Sequence, residues 1–274
     1  MIKLICEDCF KVLPKIADNS VDLILTDAPY LISARGSTFD NAPDKTEYIK
    51  TYKKYVTDFG DWDKDEFDLQ TLVNQCYRIL KPSGTFIIWY DIWKFSELRK
   101  CAENAGFKQP RIGCWTKTNP VPVNSKVNYL SNVREYFASF VKVGKPTFNS
   151  EYDTADYFAE DVFYYPILHG VERTAHPTQK PVSIIEQLVN KHSNKGDTVL
   201  DMFAGSGTTA VVCKQNSRNC IAIENKREYF KIMQDRVNNV NRKNFFSHVL
   251  SERGLCDNMN NIALPKHRNF CKGE

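Results

Sequence analysis

The stretch LILTDAPY, residues 23–30, is apolar until it ends in an acid, a small residue, a proline and a tyrosine. A buried carboxylate at a strand end is costly unless it has partners or a function. One function would be to hold a nucleobase. The Asp27 carboxylate and the Ala28 carbonyl would accept the hydrogens of an exocyclic amine, while Pro29 shapes the turn. Tyr30 would stack on the ring; the plainer interpretation is a helix N-cap and a proline turn, with Tyr30 in the core.

A second strand end carries a glycine-rich turn, in DMFAGSGTTA. Asp201 ends the predicted strand, and Gly205 and Gly207 precede a helix. Glycines let the backbone approach a ligand closely, and free amides at a helix start attract polar or anionic groups. Glu224 ends the next predicted strand, where a carboxylate can accept both hydroxyls of a ribose. These residues together predict a nucleoside site.

The same turn also matches the dinucleotide fingerprint, so an NAD-dependent oxidoreductase is a competing hypothesis from another class. A tight turn without a ligand is the structural alternative. The short stretch after Glu224 disfavours a complete dinucleotide domain, unless the order of its parts is permuted.

These strand ends belong to an alternating pattern of strands and helices. Apolar runs predict strands in MIKLIC, VDLILT, TFIIWY, RIGCWTK, YFASFVKV and NCIAIE. Helical spacing of apolar residues predicts helices in DLQTLVNQCYRIL, PVSIIEQLVNKHS and KREYFKIMQDRVNNV. The alternation predicts an α/β fold, a doubly wound and mostly parallel sheet covered on both faces. Residues 31–64 are predicted to be a long, mobile loop, residues 117–175 break the alternation, and residues 241–274 form a polar C-terminal extension.

Positive charge is concentrated in one segment, although the net charge of the chain is only +4. Between residues 111 and 145 a single acid, Glu135, lies among basic residues, asparagines and aromatic side chains. Such a segment is either a solvated basic face or a surface that contacts phosphates and bases. The candidate DNA-binding residues in it are Arg111, Lys117, Asn119, Lys126 and Arg134.

The composition excludes several classes of protein. A content of 42% hydrophobic residues supports a globular core, and neither a membrane-length apolar run nor a signal peptide is recognisable, which predicts a cytoplasmic protein. The 9 cysteines are predicted to be reduced thiols. The lone CxxC of Cys6 and Cys9 is only half of a metal site, so no metal is predicted.

Several of these motifs together resemble the β class of amino-group DNA methyltransferases. TDAPY is similar to the family's Asp-Pro-Pro-Tyr signature, FAGSG resembles its S-adenosylmethionine loop, and HPTQKP is similar to the segment that precedes this loop. The resemblance extends from about residue 2 to about residue 240 and implies a Rossmann-like sheet of seven strands with a circularly permuted motif order. It departs from the family at Ala28, which replaces the first proline.

The resemblance also implies a role for each matching residue. Asp27 to Tyr30 would hold the target amine, Glu224 would bind the ribose of S-adenosylmethionine, and Asp8 would contact its adenine. Lys180 would lie near the cofactor's carboxylate. The remaining cofactor-binding residues would be Asp201, Phe203, Ala204, Gly205, Ser206, Gly207 and Thr208.

The implied activity is methyl transfer to the N6 amine of adenine in duplex DNA after base flipping. Asp27 favours adenine, with cytosine N4 as the nearest alternative and a catalytically inactive DNA-binding protein as another. Residues 1–240 would form the methyltransferase domain, within which 117–175, joined by 31–64, would recognise DNA. A homodimer and a cognate restriction endonuclease are further partners that the resemblance suggests.

Overall fold

The computed structural model describes residues 1–29, 67–120, 133–150, 161–168 and 170–240. One compact unit spans Met1–Asn238. The predicted loop 31–64 and the C-terminal extension 241–274 lie outside the described residues, so their assignment as separate segments stays a prediction.

The strands form a single sheet in which eight strands are described. They are β1 (Ile2–Cys6), β2 (Val21–Asp27), β3 (Leu80–Trp89), β4 (Lys108–Lys117), β5 (Arg134–Val141), β6 (Val162–Tyr165), β7 (Thr198–Asp201) and β8 (Asn219–Glu224). Their order is β1-β8-β7-β2-β3-β5-β4-β6. All neighbouring pairs are parallel except β3 with β5 and β5 with β4. The predicted α/β class and mostly parallel sheet are therefore confirmed.

The helices lie between the strands as the sequence pattern predicts. They are α1 (Cys9–Val12), α2 (Leu69–Ile79), α3 (Phe95–Ala105), α4 (Val182–His192), α5 (Thr208–Gln215) and α6 (Arg227–Asn238), with 3₁₀ turns at Leu13–Lys15, Ile92–Lys94 and Gly170–Glu172. The Asp68 side chain caps α2 by accepting a hydrogen bond from the Thr71 amide over 2.9 Å. Gly106 ends α3 at φ +105°, a left-handed conformation that favours glycine.

The two faces of the central strands are both covered. Ile24 in β2 and Phe86 in β3 belong to a core that they share with the apolar faces of α2 and α3. Leu23 and Leu25 alternate to the opposite face and are equally buried, on the side where α4 packs. Such two-sided burial explains why β2 appears in the sequence as an almost continuous apolar run.

The order of the strands fixes where a ligand can bind. From β2 the chain crosses through α2 to β3, and from β7 it crosses through α5 to β8, in the opposite direction along the sheet. In open α/β sheets, ligands bind at the carboxyl edge where the crossover direction reverses. Leu23 lies beside Val199 and Ile24 beside Leu200, so Asp27 and the turn after Asp201 leave the sheet as neighbours.

Two details differ from the sequence-based expectation. The sheet has eight described strands rather than seven, because Val162–Tyr165 adds a short edge strand beside β4. Strand β3 begins at Leu80 rather than Thr85, because the pairing with β2 shifts register and accommodates residues 81–84 as a bulge. Ser83 in this bulge adopts φ +67°.

Candidate functional site

The end of β2 presents the first predicted motif at the carboxyl edge. Asp27 is opposite Trp89 of β3, and the Ala28 amide donates a hydrogen bond to the Trp89 carbonyl over 3.2 Å. This bond continues the strand pairing past Asp27, which leaves Ala28 buried at 2% exposure. Pro29 is partly buried, and Tyr30 lies outside the described residues.

A chain of alternating charges extends from Asp27. The Lys180 ammonium donates a hydrogen bond to the Asp27 carboxylate and also lies 3.0 Å from an oxygen of Glu135. The other oxygen of Glu135 lies 2.8 Å from the Lys117 ammonium. The Lys180 side chain is only 7% exposed, so this ion pair is shielded from bulk water. The predicted contact of Lys180 with the cofactor's carboxylate stays a prediction.

The charges in this chain favour the ionised forms of Glu135 and Lys180. Burial alone would raise the pKa of Glu135, but Lys180 and Lys117 outweigh burial and hold it at about 2. Burial would likewise lower the pKa of Lys180, and the carboxylates of Asp27 and Glu135 raise it well above its ordinary value instead. Opposite charges at these distances dominate the desolvation cost on both sides.

The glycine-rich turn is held by the acid at the end of β8. One oxygen of Glu224 accepts the Gly205 amide over 2.8 Å, and the other accepts the Lys226 amide over 2.7 Å. Glu224 is 7% exposed, and its burial raises its pKa. Gly205 at φ +51° and Gly207 at φ +80° adopt left-handed conformations that a side chain would strain.

Packing also limits these two glycines. A Cβ atom on Gly205 would lie 2.7 Å from Nε2 of His176, and one on Gly207 would lie 2.4 Å from Cγ of Met233. Arg236 of α6 closes the turn from outside by donating to the Ser206 carbonyl over 2.9 Å and to the Thr208 hydroxyl over 3.0 Å. The turn is therefore held by Glu224 at the end of β8, by His176 and by helix α6.

A direct bond joins the two strand ends. The Thr26 hydroxyl donates to the Asp201 carboxylate over 2.9 Å and accepts the Met202 amide over 3.2 Å. Burial raises the pKa of Asp201 to about 6, while hydrogen bonds from Thr209, Thr26 and the Phe203 amide oppose the rise. Asp201 thus fixes the glycine turn against β2.

His176 of the HPTQKP segment packs on the glycine turn. Its ring contacts that of Tyr229 edge to face, with 4.4 Å between centroids. Burial, followed by the charges of Lys180 and Arg236, lowers its pKa to about 4. His176 is therefore neutral at physiological pH.

Asp8 lies at the same edge, where β1 ends beside β8. Cys6 pairs with Glu224, and the Glu7 amide donates to the Glu224 carbonyl over 3.2 Å. The Asp8 side chain caps α1 by accepting the Phe10 amide over 2.9 Å. Its carboxylate is thus positioned beside the turn that Glu224 holds.

One cleft joins most of the predicted site residues. Asp27 of the first motif and Gly205 of the second line it together. Its other predicted lining residues are Lys180, Asp201, Phe203, Ala204, Ser206 and Thr208. Gly207 follows directly in the turn, whereas Glu224, which ends β8, and Asp8, which follows β1, are not among the lining residues.

The predicted DNA-binding residues are distributed differently. Arg111 and Arg134 are exposed, on β4 and at the start of β5. Asn119 is exposed, and its side-chain oxygen accepts the Ile167 amide over 2.6 Å. The Lys117 side chain is only 17% exposed and is paired with Glu135, and Lys126 lies outside the described residues. The role of these residues in DNA binding stays a prediction.

Three contributors to the site escaped the sequence analysis. Glu135 was visible only as the lone acid in a basic segment, and His176 only as part of HPTQKP. Thr26, next to Asp27, has no sequence feature that separates it from other strand threonines. Within the described ranges, no group of three or more histidine, cysteine or acidic side chains could hold a metal ion. No helix in those ranges is long and apolar enough to span a bilayer.

Comparisons with known proteins identify the family of the chain. The sequence profile described as DNA methylase matches residues 21–235. The Type II methyltransferase M2.DpnII of Streptococcus pneumoniae is 32% identical over 257 residues, which cover 88% of this chain and 91% of that protein. The Type II methyltransferase M2.LlaDCHI of Lactococcus lactis subsp. cremoris is 32% identical over 249 residues, covering 86% and 88% of the two chains.

Solved structures show the same architecture. The crystal structure of an M1.HpyAVI–SAM complex superimposes with a TM-score of 0.66 at 26% identity and covers 87% of this chain and 100% of that chain. The cytosine-N4-specific PvuII DNA methyltransferase gives a TM-score of 0.65 at 18% identity, with 88% of this chain and 89% of that chain covered. This second likeness shows the fold alone.

Proposed function

The chain belongs to the family of S-adenosylmethionine-dependent DNA methylases, and from this premise we propose that it methylates the N6 amine of adenine in duplex DNA through the cleft between Asp27 and Gly205. The observation that carries the proposal is that these two segments, far apart in sequence, line one cleft at the switch point of the sheet. Family membership also removes the NAD-dependent oxidoreductase as a competing hypothesis.

The residues around the glycine turn suit the cofactor. S-adenosylmethionine, when bound, supplies a methyl group activated by a sulfonium centre. We assign its nucleoside to the β8 side of the cleft, where the carboxylates of Glu224 and Asp8 can accept hydroxyl and amine hydrogens. Glu224 already holds the turn through the Gly205 amide, so a ribose contact would be coupled to the shape of the turn. Phe203–Gly207 would enclose the methionine part, with the neutral His176 packed behind it.

The residues after β2 suit the target amine. A base stacked in the duplex must first rotate out, at a cost of a few kcal/mol. The Asp27 carboxylate and the Ala28 carbonyl would then accept the two amine hydrogens and direct the nitrogen lone pair at the methyl group. As the new N–C bond forms and the C–S bond breaks, positive charge grows on nitrogen and a nearby carboxylate stabilises it. The extra amine proton leaves to Asp27 or to water.

Ala28 affects this scheme only slightly. Its contribution is a backbone carbonyl, which any residue provides, and its amide is fixed by the bond to Trp89. Alanine at this position gives a less rigid turn than the family's proline. The buried packing of Ala28 at 2% exposure offsets part of that loss.

The preference for adenine rests on Asp27. The resemblance associates an aspartate at this motif position with adenine N6 and a serine with cytosine N4. The fold does not separate the two targets, because the cytosine-N4-specific PvuII DNA methyltransferase has the same architecture. The choice between adenine and cytosine therefore depends on the residues of the cleft.

A labelling assay tests both the reaction and the target. The full chain is incubated with unmethylated duplex DNA and S-adenosylmethionine labelled in the methyl group, and the DNA is then digested to nucleosides. Label in N6-methyl-2′-deoxyadenosine supports the proposal, and label in N4-methyl-2′-deoxycytidine assigns the alternative. DNA binding without incorporated label would identify a catalytically inactive protein and overturn the proposal.

Several finer assignments accompany this function. We propose that Arg111 and Arg134, both exposed at the β4–β5 side, contact DNA phosphates, and that the segment 117–175 contributes recognition. The similar proteins are named Type II methyltransferases, which favours a restriction endonuclease with the same DNA site as a partner. A homodimer stays a prediction that analytical ultracentrifugation can test. A DNA substrate supports the proposal that the protein is cytoplasmic.

A further inference from the structure

The charge cluster beside Asp27 contains more than the reaction as proposed requires. Two acids, Asp27 and Glu135, alternate with two lysines, Lys180 and Lys117, and their charges sum to zero. All four side chains are at most 25% exposed. Methyl transfer needs Asp27 at the target amine, but nothing in that chemistry demands a second carboxylate behind the lysine.

The cluster is built by elements that are remote in sequence. Strand β5 runs antiparallel to β3, so the start of β5 lies at the edge where β2 and β3 end. Glu135, opposite Trp115 of β4, therefore projects towards this edge. Lys117 ends β4 at the same edge, and Lys180 lies two residues before α4 begins. The positions of Glu135 and Lys117 follow from the sheet register.

Sharing of one lysine between two acids has a chemical consequence. A buried lysine paired with Asp27 alone would place a full positive charge against the group that must stabilise positive charge on the amine. Glu135 supplies a second negative charge to the same ammonium at 3.0 Å, so that Lys180 neutralises Asp27 only in part. The ring of Trp89, 5.7 Å below the ammonium, shields the group from water and keeps these interactions strong.

We propose that Glu135 is a positioning residue for methyl transfer, which holds the Lys180 ammonium between two carboxylates and so preserves the negative potential of Asp27 toward the target amine. This inference rests on the proposed function and deepens it. The Lys117 ammonium holds Glu135 in place, because it lies 2.8 Å from the Glu135 oxygen that does not contact Lys180. Glu135 touches neither substrate nor cofactor in this scheme and acts through Lys180.

Charge-changing substitutions separate this role from a purely structural one. Glu135→Gln keeps the shape of the side chain but leaves the cluster with one net positive charge. We expect the single-turnover rate at saturating DNA and S-adenosylmethionine to fall on the order of tenfold to a hundredfold, because one unit charge acts across several ångströms at an effective dielectric of about 20. The affinity for S-adenosylmethionine, measured by calorimetry, should change less than threefold.

Glu135→Asp keeps a negative charge beside Lys180. We expect it to retain most of the single-turnover rate that Glu135→Gln loses, because a second carboxylate still shares the ammonium. The matched control is Glu103→Gln, which breaks the exposed 2.7 Å pair with Arg99 on α3 and should leave the rate unchanged. Circular dichroism on all variants identifies any that fail to fold.

The outcomes are distinguishable. A slow Glu135→Gln variant with a faster Glu135→Asp variant supports the inference. A Glu135→Gln rate within twofold of the unmodified chain, or a Glu135→Asp variant as slow as Glu135→Gln, overturns it, since a role of side-chain shape alone gives aspartate no advantage over glutamine. If the unmodified chain itself transfers no methyl group to DNA, the proposed function fails, and this inference fails with it. If the unmodified chain is active, the variants test the inference alone.

Discussion

Replacement of Gly207 by alanine should cost stability for two reasons that the structure separates. The first is backbone strain: a non-glycine residue at φ +80° costs roughly 1–2 kcal/mol. The second is a clash, because the new Cβ would lie 2.4 Å from Cγ and 2.9 Å from Cβ of Met233. Overpacking of this kind adds about 1–3 kcal/mol. We therefore expect the free energy of unfolding to fall by roughly 2–5 kcal/mol.

Gly196→Ala provides the matched control. Gly196 has φ +91°, and a Cβ there would meet nothing within 4 Å, so only the strain of roughly 1–2 kcal/mol applies. Denaturant unfolding followed by circular dichroism measures both variants, and calorimetry with S-adenosylmethionine should show weakened binding for Gly207→Ala alone. Equal losses of stability in the two variants would refute the packing of the glycine turn against α6.

Three further predictions address the cleft. Glu224→Gln should weaken binding of S-adenosylmethionine by about tenfold or more, because the carboxylate that holds the Gly205 and Lys226 amides is lost. Unchanged affinity, measured by calorimetry, would contradict the role of Glu224. The pKa of His176 is lowered from 6.5 to about 4, so its contribution to stability is complete above pH 6.5 and is lost as the pH falls through about 4. The midpoint of unfolding should therefore decline over this pH range. The decline should be smaller in His176→Asn. Arg134→Gln should reduce the slope of log affinity for DNA against log salt by about 1; an unchanged slope would argue against a phosphate contact.

The sequence was sufficient to predict the two strand ends that form the cleft. Asp27 follows a nearly continuous apolar run, which is typical of a strand buried on both faces, and Asp201 follows the short run Val199–Leu200. The carboxyl ends of parallel strands share one edge. The family resemblance then predicted the permuted order. Gly205 and Glu224 could be assigned to the same edge, because each follows or ends a strand of a strand–turn–helix unit that is recognisable from the local sequence pattern.

The charge cluster could not be predicted in the same way. The contact of Lys180 with Asp27 joins residues separated by 153 positions, and the contact with Glu135 depends on the antiparallel register of β5. A one-residue change of register would turn Glu135 to the other face of the sheet. The short β6 was missed for a related reason, since its four residues gain their strand conformation from pairing with β4.

The central claim is that a cofactor site at the glycine turn and a target site at Asp27 act together in one cleft. The most direct test is Asp27→Ala, with the affinity for S-adenosylmethionine and the single-turnover transfer of labelled methyl groups to DNA measured on the same preparation. We expect nearly unchanged cofactor affinity and no detectable methyl transfer. Retained methyl transfer in this variant would show that Asp27 does not hold the target amine.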